Sequence, residues 1–118
     1  MKKIIYVFVF LIASYTFSQD YSKKVKTVQK GDLIEATYFY ANGNIEQQGT
    51  FNKEGKLHGL WVSYDINGVK TSSGNYENGQ KVGKWFFWTD NTVKEVDYNN
   101  SKISKVVEKN KDTSKIVY

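Results

Sequence analysis

Apolar and polar residues alternate in short segments along residues 33–98, and turn residues separate these segments. The dipeptide Asn-Gly recurs at three of the turns: Asn42-Gly43, Asn67-Gly68 and Asn78-Gly79. Alternating segments rich in β-branched and aromatic residues, joined by Asn-Gly, are typical of β-hairpins. No segment has the apolar spacing of three and four residues that an amphipathic helix needs. The pattern therefore predicts an all-β fold, an antiparallel meander of repeated β-hairpins with about six to eight short strands.

The glycine and aromatic residues of the central segment recur with a period of 24 residues. Residues 55–88 hold one complete copy of the repeat and the beginning of the next, in which Trp85 takes the place of Trp61. A fixed period of this length is typical of proteins built from stacked supersecondary units. We therefore predict that the repeat positions form the structural core. They are Gly59, Trp61, Tyr64, Gly68, Gly74, Tyr76, Gly79, Gly83 and Trp85.

The same residues carry a resemblance to a known family. The run G-K-L-H-G-L-W-V-S-Y-D-I-N-G, followed by Y-E-N-G-Q-K-V-G-K-W, resembles the bacterial variant of the MORN repeat, and the resemblance covers residues 36–100. It implies an antiparallel row of β-hairpins, one per repeat, and a non-enzymatic function. Bacterial members are described as antitoxin-like, and other members act as scaffolds or are linked to membranes.

Residues 1–18 have the composition of a signal peptide. Lys2 and Lys3 precede an apolar run over residues 4–13, and Thr16 and Ser18 are small residues at the positions that a signal peptidase reads. The run is short for a membrane span, and an uncleaved anchor is the alternative. Because the chain has no cysteine, it is not expected to be a lipoprotein. We expect export across the cytoplasmic membrane, to the periplasm or to the cell exterior.

Two lysine-rich segments flank the hairpin repeats of residues 33–100. Residues 19–32 are expected to form a flexible lead-in, with an edge strand as the alternative. Residues 101–118 are expected to form a divergent terminal hairpin or a frayed tail, because the repeat weakens where Asn100-Ser101 replaces the earlier Asn-Gly. Terminal repeats of such arrays are usually atypical.

The positive charge of the chain lies in these flanks. The whole chain has a net charge of +5, but residues 31–98 contain six lysines against nine acidic residues, a net charge of −3. No stripe of basic residues runs along the repeats themselves, and this absence argues against a nucleic-acid partner. Weak contact between the lysine-rich flanks and anionic lipid stays open.

Phe86, Phe87 and Trp88 are the candidate partner-contact residues. They belong to the run W-F-F-W, and alternation along a strand places its bulky rings on both faces of the sheet. If one face is open to water, some of these rings are exposed and available to a partner. The alternative is a sheet that the flanking segments cover on both faces.

No group of residues has the pattern of a catalytic, cofactor or metal site. His58 is the only histidine and stands where the next repeat has Val82, and one histidine without cysteine is a poor metal site. We therefore predict a non-enzymatic binding or scaffold module without a cofactor, whose partner is a protein or another envelope macromolecule. The alternatives are an antitoxin or immunity protein that occludes a toxin, and an envelope module that associates with lipid.

Overall fold

A computed structural model describes residues 24–111 and contains one eight-stranded sheet. Its strands are β1 (Val25–Lys30), β2 (Leu33–Phe39), β3 (Ile45–Phe51), β4 (Gly59–Tyr64), β5 (Lys70–Glu77), β6 (Gln80–Trp88), β7 (Thr92–Asn99) and β8 (Lys102–Asn110). They lie side by side in chain order, and every neighbouring pair is antiparallel. The described residues form no helix. The predicted all-β meander is confirmed.

The two edge strands lie in the segments that flank the repeats. Val25–Lys30 form an edge strand, the alternative to a flexible lead-in, and this strand pairs with β2 from Val25↔Tyr38 to Lys30↔Leu33. At the other edge, β8 pairs with β7 and closes a hairpin over Lys102–Asn110. Both segments are rich in lysine and mostly exposed, which suits an edge strand, where charged side chains discourage pairing with other chains. The signal peptide predicted for residues 1–18 lies outside the described residues, as do residues 112–118.

Three hairpin connections share a four-residue turn that ends on a glycine, at residues 40–43, 52–55 and 65–68. In the third turn the amide of Gly68 donates to the carbonyl of Asp65 at 3.0 Å, and Gly68 has a φ of 89°. The Asp65 carboxylate accepts from the amides of Asn67 and Val69 at 2.9 and 3.0 Å. Glycine adopts such a left-handed φ at the least steric cost, so the residue type and the turn agree.

The Asn-Gly dipeptides belong to two kinds of turn. Asn78-Gly79 forms a two-residue turn in which both residues have positive φ, 49° and 86°. Asn100-Ser101 repeats this geometry between β7 and β8, with φ values of 50° and 67°. In Asn42-Gly43 and Asn67-Gly68 only the glycine has positive φ. These two dipeptides therefore complete the wider four-residue turn rather than the tight hairpin turn of Asn78-Gly79.

The sheet has an aromatic face and an opposite face. Side chains alternate along each strand, and directly paired residues share a face. We call the aromatic face the one that carries the rings of Tyr38, Phe51, Trp61, Tyr76, Trp85, Phe87 and Tyr98. The buried apolar side chains are those of Ala36, Trp61, Trp85, Val93 and Val96. All of these except Val93 lie on the aromatic face, so the core of this one-layer sheet is concentrated on one side.

Candidate binding groove

Trp61 and Trp85 occupy equivalent positions on the aromatic face. The indole of Trp61 lies against Gly49, and its Nε1 donates at 2.9 Å to the carbonyl of the residue after that glycine. The indole of Trp85 lies against Gly74 in the same way, with the corresponding hydrogen bond at 3.0 Å. A Cβ atom at either glycine would overlap the indole, so glycine leaves the room that the ring needs. Both tryptophans are buried, with 5% and 4% exposure.

Other repeat positions link one unit to the next. The ring centroid of Tyr76 lies 6.4 Å from that of Trp61 and 5.0 Å from that of Trp85. The carbonyl of Tyr64 accepts a hydrogen bond of 2.8 Å from the hydroxyl of Tyr40, one period upstream. Three more repeat positions are glycines with φ values of 88°, 86° and 70°, namely Gly59, Gly79 and Gly83. Some repeat positions therefore carry the rings that pack between units, and others are glycines whose positive φ the turns and strand ends require.

The three candidate contact residues do not share one surface. Phe86 and Trp88 lie on the opposite face, where their rings stack with centroids 5.8 Å apart and the ammonium of Lys70 lies 5.7 Å from the Trp88 ring. Phe87 lies on the aromatic face, with its ring centroid 6.0 Å from that of Trp85. All three side chains are half-buried. The structure therefore divides the predicted contact between the two faces of β6.

A groove of about 630 Å³ crosses the strands on the aromatic face. Its floor is a row of side chains that face one another directly in the register of β2 to β6: Tyr38, Gln47, Ser63, Ser72 and Phe87. The rings of Trp61, Tyr76 and Trp85 line it alongside this row. Since neighbouring strands lie about 4.8 Å apart, the floor from β2 to β6 is roughly 19 Å long. This is the length of a short oligomeric ligand.

The polar part of the floor was missed from the sequence. Gln47, Ser63 and Ser72 come from three strands, and they become neighbours only through the registers Gln47↔Ser63 and Ser63↔Ser72. One signal was present in the sequence. Gln47, Ser63 and Ser72 each lie two residues from a glycine or a tryptophan of the Gly–Trp pairs, namely Gly49, Trp61 and Gly74. Period-two alternation places such residues on the same face of a strand, but it does not tell which strands are in register.

The groove is lined by lysines and not by carboxylates. Among the described residues that line it, Lys56 and Lys81 are charged and none is acidic. The Nζ atom of Lys81 lies 5.2, 5.9 and 5.1 Å from the ring centroids of Trp85, Phe87 and Tyr98. Ammonium groups are attracted to ring faces at such distances. The end of the groove near Phe87 therefore has a positive charge held over aromatic rings.

On the opposite face, charge is paired around Glu95. Its carboxylate lies 2.9 Å from Nζ of Lys109 and 3.4 Å from Nζ of Lys84, and its side chain is 11% exposed. The hydrogen bond from Lys109 is the main cause that lowers the pKa of Glu95 below its ordinary value of 4.5; partial burial opposes this, and Lys84 adds to it. This cluster fastens β6, β7 and β8 together on the face away from the groove.

The single histidine has a backbone contact. Nδ1 of His58 accepts a hydrogen bond of 3.3 Å from the amide of Asn78, which ties the β3–β4 connection to the β5–β6 turn. Within residues 24–111, no three His, Cys, Asp or Glu side chains are grouped so that they could hold a metal ion. In the same range, no helix has the length and apolar character to cross a membrane.

The groove therefore offers aromatic surface, the hydroxyls of two serines and two tyrosines, one side-chain amide and two ammonium groups. These groups suit the binding of a ligand with both apolar and polar parts. Comparison with protein-family models and with curated proteins found no match to this chain.

Proposed function

We propose that this protein is an exported, non-enzymatic binding or scaffold module built from MORN-like repeats, and that its aromatic face contacts the partner. The observation that carries the proposal is the groove of about 630 Å³ on that face. Recognition sites are usually concave and aromatic, with a few polar groups that orient the ligand. Tryptophan and tyrosine are also enriched among the residues that dominate binding energy at interfaces.

The repeat organisation is supported by backbone contacts that recur along the sheet. The amide of Gly79 donates to the carbonyl of Leu57 at 2.8 Å, and the amide of Ser101 donates to that of Lys81 at the same distance. The two acceptors lie one 24-residue period apart. Together with the equivalent tryptophan positions, these contacts support a row of MORN-like hairpins, each packed on the next.

The lining of the groove supports a binding role rather than catalysis. Ser63 and Ser72 supply the aliphatic hydroxyls of the floor, and the described lining residues include neither a histidine nor a carboxylate. A serine nucleophile needs an adjacent base to activate it. The two hydroxyls are therefore best suited to donate and accept hydrogen bonds with a bound ligand.

A second candidate, an envelope module that associates with anionic lipid, is favoured by the placement of the lysines. The lysines of both edge strands that share the opposite face are Lys26, Lys30, Lys102, Lys105 and Lys109. Val28 and Leu60 lie exposed on the same face. Sedimentation with phosphatidylglycerol vesicles at low and high salt tests this candidate, since electrostatic binding falls as salt rises.

The proposal is tested by capture of partners from the native envelope fraction with three forms of the protein. Ser72→Arg places a long side chain on the groove floor, and Ser73→Arg places the same side chain on the opposite face one residue away. Both serines are half-buried, so the pair is matched for burial. Thermal unfolding of each variant shows whether the fold is kept.

We expect the wild-type protein and Ser73→Arg to capture the same partner and Ser72→Arg to lose it. Loss with Ser73→Arg alone would move the contact to the opposite face and overturn the assignment of the groove. Capture of a toxin would favour the antitoxin or immunity alternative for the same surface.

A further inference from the structure

The middle of the groove floor carries polar side chains that have no hydrogen-bond partner among residues 24–111. The side chains of Gln47, Ser63 and Ser72 are half-buried and make no hydrogen bond within residues 24–111. By contrast, Gln48, the neighbour of Gln47 on the opposite face, donates to Thr37 at 2.9 Å. Polar groups that are partly removed from water normally find a partner. The three floor side chains are therefore available to a ligand.

Aromatic rings bound this polar floor at both ends and along its side. Tyr38 and Phe87 are the first and last members of the row, and the groove is also lined by Trp61, Tyr76 and Trp85. A fully apolar floor would suit an acyl chain, but here the middle of the floor can donate and accept hydrogen bonds. An extended peptide makes its main-chain hydrogen bonds at a sheet edge, whereas this groove crosses the face. A chain of hydroxylated rings fits both the polar floor and the aromatic boundary.

The charge of the groove selects the sign of the ligand. Nζ of Lys81 lies within 5.9 Å of the Phe87 ring centroid, so the ammonium reaches the end of the floor. Lys81 forms no ion pair within residues 24–111, whereas Lys30, Lys84, Lys94 and Lys109 each pair with a glutamate. No acidic residue lines the groove among those described, and the carboxylate of Glu108, beyond Phe87 on the same face, is paired with Lys94. An anionic group in the groove therefore meets attraction from Lys81.

We propose that the groove binds an acidic oligosaccharide, a short chain of sugar rings that bear carboxylates. Gln47, Ser63 and Ser72 form hydrogen bonds with the sugar hydroxyls, and Lys81 pairs with one carboxylate. The half-buried rings of Tyr38, Tyr76 and Phe87 pack against the sugar rings. This proposal rests on the proposed function and specifies its ligand class. The hydroxyl contacts and the carboxylate contact involve different residues of the groove. Each kind of contact can therefore be tested by its own substitution.

The experiment measures binding to the protein purified from cells that express the full chain. The probes are tetramers of galacturonate, mannuronate and guluronate, together with the fully methyl-esterified galacturonate tetramer as an uncharged match. Indole fluorescence and NMR chemical shifts report binding, since Trp61 and Trp85 line the groove. Lys81→Gln removes the proposed carboxylate contact, and the double variant Ser63→Ala/Ser72→Ala removes both hydroxyls. Lys102→Gln and Ser73→Ala make the same chemical changes away from the groove.

At least one uronate tetramer is expected to bind. Lys81→Gln should weaken that binding by about tenfold or more, the size expected for a hydrogen bond to a charged group. The double serine variant should weaken it by roughly five- to a hundredfold, as expected for the loss of two neutral hydrogen bonds. Wild-type protein should bind the methyl-esterified tetramer about as weakly as Lys81→Gln binds the acidic tetramer. The two control variants, Lys102→Gln and Ser73→Ala, should bind the acidic tetramer with the wild-type affinity.

Three results would overturn the proposal. In the first, none of the three uronate tetramers binds. In the second, the wild-type protein binds the galacturonate tetramer and its methyl ester with equal affinity. In the third, Lys102→Gln loses as much affinity as Lys81→Gln. Failure here is distinguishable from failure of the proposed function. If no uronate binds but Ser72→Arg still abolishes capture of an envelope protein, the groove is a binding site for a different class of ligand.

Discussion

The two faces of the sheet are stabilised by different contacts. On the aromatic face, ring contacts continue from Tyr38 on β2 to Tyr98 on β7. On the opposite face, the described contacts are centred on the ring pair of β6 and on the ion pairs of Glu95. A sheet of one layer has no second layer to cover its apolar side chains. This chain buries two indoles by placing them over glycines of the preceding strand, which concentrates the core on the face that also forms the groove.

Removal of a core indole is expected to produce the largest difference between the faces. Trp85→Ala should cost about 3–5 kcal/mol, because loss of a buried tryptophan leaves a cavity. A domain of this size has only about 5–15 kcal/mol of stability, so the variant is close to unfolding. Trp88→Ala removes a half-buried indole from the opposite face of the same strand and should cost clearly less. Thermal unfolding followed by circular dichroism compares the two, and equal losses would contradict a core concentrated on the aromatic face.

A smaller loss is expected when the space below an indole is filled. Gly74→Ala should cost about 1–3 kcal/mol, because the added Cβ overlaps the ring of Trp85 and must displace it. The double variant Gly74→Ala/Trp85→Ala should lose less stability than the sum of the two single variants, since the methyl group no longer meets a ring. Unfolding free energies from urea titrations complete the cycle. Additive losses would show that the glycine and the indole do not depend on each other.

The strands and turns of this fold were predictable because alternation and turn residues are local signals. The partnership of Gly49 with Trp61 was not, although Gly74 belongs to the predicted repeat frame. Gly49 precedes Trp61 by 12 residues and Gly74 precedes Trp85 by 11. A seven-residue connection, 52–58, separates the first pair of strands, whereas a two-residue turn separates the second. Gly49 and Gly74 are 25 residues apart, whereas Trp61 and Trp85 are 24 apart, so a search for a fixed 24-residue period does not pair the two glycines.

The site was less predictable than the fold. The run W-F-F-W correctly marks β6 as rich in rings, but alternation sends Phe87 to one face and Phe86 and Trp88 to the other. The groove floor depends on contacts between residues from different hairpins, and its polar members have no distinguishing sequence motif. A surface assembled from several strands requires their register, which a single sequence does not display.

The ion-pair cluster of the opposite face is expected to contribute a pH-dependent part of the stability. Because the pKa of Glu95 is lowered in the folded protein, its contribution is fully present above about pH 4.5, the ordinary value, and is lost as the pH falls through the lowered folded value. Glu95→Gln should therefore show less loss of melting temperature on acidification than wild type. Glu77→Gln, an exposed residue of β5, is the control. Wild-type and Glu95→Gln profiles of the same slope below pH 4.5 would contradict this role.

The central claim is that the aromatic face binds the partner, and two neighbouring residues of β6 test it most directly. Phe87→Ser and Phe86→Ser make the same change on half-buried side chains that lie on opposite faces. Partner capture from the envelope fraction is compared at a temperature where circular dichroism shows both variants folded. The account predicts that Phe87→Ser loses the partner and that Phe86→Ser retains it. Loss of capture with Phe86→Ser and retention with Phe87→Ser would place the binding surface on the opposite face and contradict the account.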